Sequence, residues 1–216
     1  MSVAVKICGL NSAAAADAAV RAGADFGGLV FFAKSPRHLE IDAAARLAER
    51  MRMRLKLAAL VVDPDDTLLA QIADHVKPDF FQLHGKESVA RAADIRARFR
   101  TPLIKALAVA EPSDLQRAAE YEGVADYFLF DTPPAADATR PGGHGVAFDW
   151  QMLKGRRFNR PWFMAGGLTP ANVARAIEIS GAAMVDVSSG VESAPGVKSE
   201  SLIADFVAAA KQKVGA

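Results

Sequence analysis

Cysteine occurs once in the 216 residues, at Cys8. No intrachain disulfide can form, and the expected compartment is a reducing cytoplasm. No apolar run reaches the length that spans a bilayer. The opening MSVAVKICGL has no basic segment ahead of a long apolar one. A soluble chain with no membrane partner is expected. An excess of one charge is also missing, since the formal net charge is +1. That excludes a general attraction for nucleic acid or an anionic surface, so any anion site must be local. His38, His75, His84 and His144 are scattered, and no HxxH or CxxC spacing occurs, so no metal is expected. No GxGxxG follows the first apolar run, which removes a dinucleotide site, and no other cofactor is expected. What remains is 51% hydrophobic and 24% charged, enough to build a large core without covalent staples.

An alternation fills the chain. Short β-branched or aromatic runs predict buried strands at 4–8, 26–31, 56–62, 79–84, 103–109, 126–131, 162–166 and 183–189. Between them, Ala-rich stretches at helical spacing predict helices at 12–22, 41–53, 65–76, 87–98, 113–121, 149–153, 170–179 and 199–213. Ser12, Asp65, Ser113 and Thr169 or Asn172 are candidate N-caps, and Pro170 suits a first helical position. Strands alternating with helices imply parallel βαβ units. Eight units favour an α/β fold of the closed (β/α)8 (TIM) barrel type, compact at about 27 residues per unit. Residues 1–216 then form one catalytic domain, with an open doubly wound sheet as the alternative. One long Pro- and Gly-rich connection, 132–148, falls where such barrels keep active-site loops.

In a barrel the site gathers at the C-terminal strand ends. The polar groups there are Lys6 and Cys8, Arg37, Asp63, Gln82 and His84, Asp131 and Thr132, Asp186 and Ser188. Polar residues at so many strand ends point to an enzyme. Gly143 and Gly145 after strand six, Gly166 and Gly167 after strand seven, and Ser188, Ser189 and Gly190 after strand eight suit a phosphate. Backbone N–H groups and hydroxyls grip the anion, and glycine permits close approach. The ligand is therefore expected to be a phosphorylated small molecule. Tight turns are the plainer role for the same glycines.

Cys8 is either a small buried hydrophobe or a base. An ordinary thiol is only slightly ionised at neutral pH, and Lys6, two residues back on the same strand face, is expected to increase the thiolate fraction. Asp131 is either a turn cap beside Thr132 or a general acid kept partly protonated by burial. On strands one and six the two flank a ligand, one giving a proton and the other taking one. His84 is expected to fill space or orient a neighbour.

These motifs, in this order, resemble the phosphoribosylanthranilate isomerase family. The match runs through Lys6-Ile7-Cys8-Gly9, Ser35-Pro36-Arg37, Gln82-Leu83-His84-Gly85, Phe130-Asp131, Ala165-Gly166-Gly167-Leu168 and Asp186-Val187-Ser188-Ser189-Gly190-Val191-Glu192. It covers nearly the whole chain. Each tetrapeptide alone is weak, and the set is specific. The resemblance implies an Amadori rearrangement in L-tryptophan biosynthesis, with Asp131 as general acid and Cys8 as general base. It implies that Arg37 pairs with the anthranilate carboxylate, that Asp186 binds sugar hydroxyls, and that the glycine and serine loops hold the phosphate. It suggests a monomer, with a homodimer as the alternative. Two positions depart from the pattern. His144 stands where Thr or Ser is expected, and Ser199 stands where Asp is expected, there capping or bracing the last helix.

The rivals are a histidine-pathway sugar isomerase, a phosphopentose epimerase and a non-catalytic phosphate-binding module. Cys8 at the end of strand one argues against the first, which resembles a doubled half-barrel with aspartates as both acid and base. The second needs metal-binding histidines at strand ends. Cys8, Asp131 and Arg37 together argue against the third.

Overall fold

The computed structural model describes residues 2–133 and 149–212. Eight parallel strands close into a barrel in chain order: β1 (Ala4–Cys8), β2 (Phe26–Phe31), β3 (Lys56–Val61), β4 (Phe80–Leu83), β5 (Leu103–Ala108), β6 (Tyr127–Asp131), β7 (Trp162–Met164) and β8 (Met184–Val187). β8 returns to β1, with Lys6 opposite Asp186. The strands are buried on both faces, which is why they lack polar alternation in sequence.

Helices α1 (Ala13–Ala22), α2 (Ile41–Met51), α3 (Asp66–Gln71), α4 (Val89–Phe99), α5 (Ala118–Tyr121), α6 (Val173–Ser180) and α7 (Glu200–Lys211) lie outside the barrel strands. Ser12, Asp65, Ser88 and Ser199 accept bonds from the backbone of the first turns of α1, α3, α4 and α7. A cap of this kind contributes about 1 kcal/mol. Ser199 thus does the work expected of an aspartate there. α1 and α7 are tied by Arg21–Glu200 at 2.7 Å, and Lys211 reaches Asp25 at 2.9 Å.

Several helical expectations need correction. Residues 150–153 form only a 3-10 turn, since Asp149 caps it and Gly155, at φ 69°, lies just beyond. The stretch 113–121 splits into a 3-10 turn (Pro112–Arg117) and the four-residue α5. Ser113 does not cap it. Asp114 accepts from the Ala110 and Glu111 N–H groups instead. α3 widens into a π turn (Ile72–Val76) that ends at left-handed Lys77. α6 begins at Val173 rather than Pro170, because Asn172 ties the preceding loop to Thr169 N and Gly167 O.

The barrel interior is layered. Phe26, Phe80, Tyr127 and Phe163 cluster at the N-terminal end of the strands, with Phe26–Phe163 and Phe80–Tyr127 nearly edge-on at 5.1 and 5.3 Å. Strand period two then fixes what stands above them. Phe80 leads to Gln82 and His84, Tyr127 to Leu129 and Asp131, Met184 to Asp186 and Ser188, and Ala4 to Lys6 and Cys8. An aromatic plug closes one end, and polar groups accumulate toward the other.

Candidate active site

Cys8 ends β1 and is 4% exposed. Its carbonyl accepts from Ser188 Oγ at 3.1 Å, which joins the β1 and β8 ends. Below it, Lys6 Nζ donates to Asp186 Oδ1 at 2.9 Å, with Lys6 wholly buried. Space for the sulfur comes from Gly28 on β2. A Cβ built there would stand 2.9 Å from Cys8 Sγ, 3.0 Å from Cys8 Cα and 3.1 Å from Lys6 Nζ. Burial pushes the Cys8 thiol above its ordinary value. The Lys6 charge opposes this and the Asp186 charge assists it. The expected pull of Lys6 toward the thiolate is present, but burial outweighs it. Desolvation dominates, and the Lys6 charge is shared with the carboxylate it holds. Lys6 itself is drawn down by burial, but Asp186 and Cys8 together lift it above its ordinary value.

Asp131 ends β6. Its Oδ1 accepts from Thr132 N at 2.8 Å, and its Oδ2 lies 3.4 Å from His84 Nε2. The other ring nitrogen of His84 is 3.0 Å from Gln82 Nε2. Gly166, at φ 81°, lets the β7 end pass against this turn. A Cβ there would collide with Thr132 Oγ1 and stand 3.1 Å from Asp131 Oδ1. Gly167 is also left-handed, at φ 64°. Gly190 abuts the Leu168 carbonyl so closely that no side chain fits. Gly166, Gly167, Ser188, Ser189 and Gly190 thus share one rim, on the loops after β7 and β8. Gly143 and Gly145, and the His144 between them, lie outside the described residues.

Arg37 is 4% exposed and is held by a residue whose role the sequence did not reveal. Its Nε and Nη2 donate to the two oxygens of Glu192 at 2.7 and 2.8 Å. Glu192 opens the small hairpin of β9 (Glu192–Ala194) and β10 (Val197–Lys198). Lys198 Nζ donates to Glu192 at 2.7 Å and to the Ser188 carbonyl at 2.8 Å. Burial pulls the Glu192 carboxyl upward, but Arg37 and Lys198 outweigh it and hold it below its usual range. Burial depresses Lys198 despite Glu192. The signal in sequence was Glu192 at the end of the DVSSGVE motif, but nothing local named its partner 155 residues away.

Asp63, a strand-end candidate, braces a loop instead. Its Oδ1 accepts from Lys86 N, while Glu87 accepts from Asp63 N and Gly85 N and pairs with Lys105 at 2.7 Å. This buried knot fixes the turn that follows His84.

The mouth therefore places a buried thiol, a carboxyl group with a histidine beside it, a bound guanidinium, and a glycine-serine rim on one face. Such a set can move protons at carbon and oxygen while holding an anion at each end of a ligand.

The sequence matches the model of the N-(5'phosphoribosyl)anthranilate (PRA) isomerase family over residues 5–209. It is similar to the N-(5'-phosphoribosyl)anthranilate isomerase of a Rhodopseudomonas palustris strain, at 52% identity over 98% of this chain and 97% of the relative. The corresponding protein of Paracoccus denitrificans is 51% identical over 97% and 98%. Among solved structures, the phosphoribosyl anthranilate isomerase of Thermotoga maritima superposes with a TM-score of 0.86 at 34% identity, covering 97% of this chain and 98% of that one. Another superposes with a TM-score of 0.82 at 32% identity, over 97% and 98%. That isomerase is in complex with reduced 1-(o-carboxyphenylamino)-1-deoxyribulose 5-phosphate.

Proposed function

The chain belongs to the N-(5'-phosphoribosyl)anthranilate isomerase family, and from that premise we propose that Cys8 and Asp131 divide the proton transfers of its reaction between them. The reaction is the Amadori rearrangement of N-(5'-phosphoribosyl)anthranilate to 1-(o-carboxyphenylamino)-1-deoxyribulose 5-phosphate, a step of L-tryptophan biosynthesis. It is an aldose–ketose isomerisation of a phosphorylated small molecule.

Asp131 gives its proton to the ribose ring oxygen. The bond from that oxygen to C1 breaks, and the anthranilate nitrogen lone pair closes a C=N bond. The product of this step is a protonated Schiff base. Its positive charge acidifies the neighbouring C2–H and favours ionisation of Cys8, which gives up its own proton to solvent and, as the thiolate, removes the proton from C2. The C–H electrons form a C1=C2 bond and neutralise the nitrogen. The enolamine then tautomerises, with the C2 hydroxyl becoming the ketone and C1 gaining a proton. No net proton is consumed, and the two residues return to their starting states by exchange with solvent. The cationic intermediate adds a second positive charge next to Cys8, on top of Lys6, whose charge alone does not offset the burial of the thiol.

The observation that carries this assignment is the shared mouth. Cys8 and Asp131 end β1 and β6 at interior-facing positions, with Ser188 bonded to the Cys8 carbonyl and Thr132 N and His84 against the Asp131 carboxyl group. Arg37 meets the anthranilate carboxylate, Asp186 keeps one oxygen for sugar hydroxyls, and the Gly166–Gly167 and Ser188–Gly190 loops, with Gly143 and Gly145, hold the phosphate. That remote grip helps orient the reacting sugar. One chain supplies every group named, so it acts as a single catalytic domain, which a monomer suffices to form and a homodimer would leave intact. A chain with one cysteine fits the cytoplasm. Among the described residues, no helix is long and apolar enough to cross a membrane.

The test supplies anthranilate and phosphoribosyl pyrophosphate to the transferase that joins them, and follows the fluorescence of the product. Addition of this chain should quench it at a rate proportional to enzyme. A folded chain that leaves the fluorescence unchanged would rule out the isomerase.

A further inference from the structure

We propose that Glu192 is a specificity-determining positioning residue, which holds one edge of the Arg37 guanidinium so that the opposite edge meets the ring carboxylate of the substrate. The inference rests on the isomerase function and adds a residue to it.

A guanidinium presents donors side-on, through Nε and one Nη, and end-on, through its two Nη groups. Glu192 takes the side-on edge with two bonds, at 2.7 and 2.8 Å. The end-on edge remains for a second planar anion, and among the described residues Nη1 makes no hydrogen bond. Glu192 is itself fixed from two sides, by Lys198 Nζ at 2.7 Å and Gly196 N at 3.2 Å. The Arg37 stem lies against Gly9, where a Cβ would stand 2.6 Å from Cδ. Gly9 sits at φ 78° and directly follows Cys8, so the orientation of Arg37 is set one residue from the base.

Charge supports the same assignment. The side chains of Arg37, Glu192 and Lys198 are at most 5% exposed. Two cations against one carboxylate leave a single positive charge, the complement of one substrate carboxylate. A ligand without that carboxylate leaves buried donors unpaired, and such sites discriminate strongly. Without Glu192, the guanidinium must be ordered when the ligand binds, which weakens binding.

The experiment compares two inhibitors on wild type, Glu192→Gln and Glu192→Asp. One is reduced 1-(o-carboxyphenylamino)-1-deoxyribulose 5-phosphate, and the other is its phenylamino analogue lacking the ring carboxylate. Wild type should prefer the first by about 100-fold, as expected for a buried charge-paired contact. Glu192→Gln should cut that preference by about tenfold while the analogue binds as before, and KM should rise more than kcat falls. Glu192→Asp, which keeps the charge on a shorter arm, should fall between. Equal loss for both inhibitors, or no loss for either, would overturn the proposal. If Glu192→Gln does not fold, as judged by circular dichroism, Glu192→Asp is compared in the Arg37→Met background. There it should leave the preference unchanged, and a further change would overturn the proposal. Wild-type turnover with unaltered preference in the variants overturns this inference alone. Absence of turnover in wild type overturns the isomerase assignment.

Discussion

His84 Nε2 stands 3.4 Å from Oδ2 of Asp131, and Gln82 Nε2 stands 3.0 Å from the far side of the same ring. The ring thus bridges the Gln82 amide and the Asp131 carboxyl group. Gln82 and His84 are two residues apart on one strand face, and they form a short column beneath the proposed acid. His84→Ala should therefore lower kcat by about tenfold, a part of what a positioned acid contributes, with KM little changed. Steady-state kinetics check this. A kcat within about twofold of wild type would reduce His84 to a space-filling residue.

Cys8 is expected to stay protonated well above neutrality in the free enzyme, because its burial outweighs the nearby Lys6 charge. Alkylation by iodoacetamide, followed by intact mass over a range of pH, should show a midpoint above the value of about 8.5 for a free thiol. A midpoint at or below that value would mean that Lys6 dominates after all.

Gly28→Ala introduces a Cβ 3.0 Å from a backbone atom of β1 and 2.9 Å from the Cys8 sulfur. Backbone cannot swing aside as a side-chain end can. A loss of about 1–3 kcal/mol is expected from the overpacking, with a fall in kcat as the sulfur is displaced. Urea unfolding and kinetics on one preparation measure both. Stability and kcat both equal to wild type would contradict the packing of Gly28 against Cys8.

The Lys105–Glu87 pair is buried at 2.7 Å, with side chains 2% and 1% exposed. Lys105→Met leaves the Glu87 carboxylate without its cation and should cost about 3–5 kcal/mol. The double variant Lys105→Met with Glu87→Gln should recover part of that loss, because the stranded charge is removed. Chemical denaturation of the three proteins decides. A double variant less stable than Lys105→Met would mean that the carboxylate's bonds to Asp63 N and Gly85 N matter more than its charge.

The barrel was legible because each strand is a short, mostly apolar run and each long helix has a cap or an Ala-rich face. Ser12 and Asp65 were found as caps because their bonds reach only three residues ahead. The failures were short or context-bound. Residues 150–153 are too few for an α-helix to persist, and α5 lost its first turn to a 3-10 conformation at Pro112. The strand-end residues stood out, since position at a strand's C-terminal end is a local property. Their partners did not. Lys6–Asp186 spans 180 residues and Arg37–Glu192 spans 155, and only chain closure brings them together. The sequence placed Lys6 beside Cys8, and its pull is there, but the burial that outweighs it comes from the closed barrel and not from any local stretch.

The division of labour between Cys8 and Asp131 is tested most directly by turnover and binding measured together. Cys8→Ser and Asp131→Asn are assayed for quenching of substrate fluorescence and for binding of reduced 1-(o-carboxyphenylamino)-1-deoxyribulose 5-phosphate. Each variant should lose about 100- to 10,000-fold in kcat, the range of a general acid or base, while its Kd stays within a few-fold of wild type. Turnover near the wild-type rate in either variant, with binding intact, would contradict the assignment of that residue.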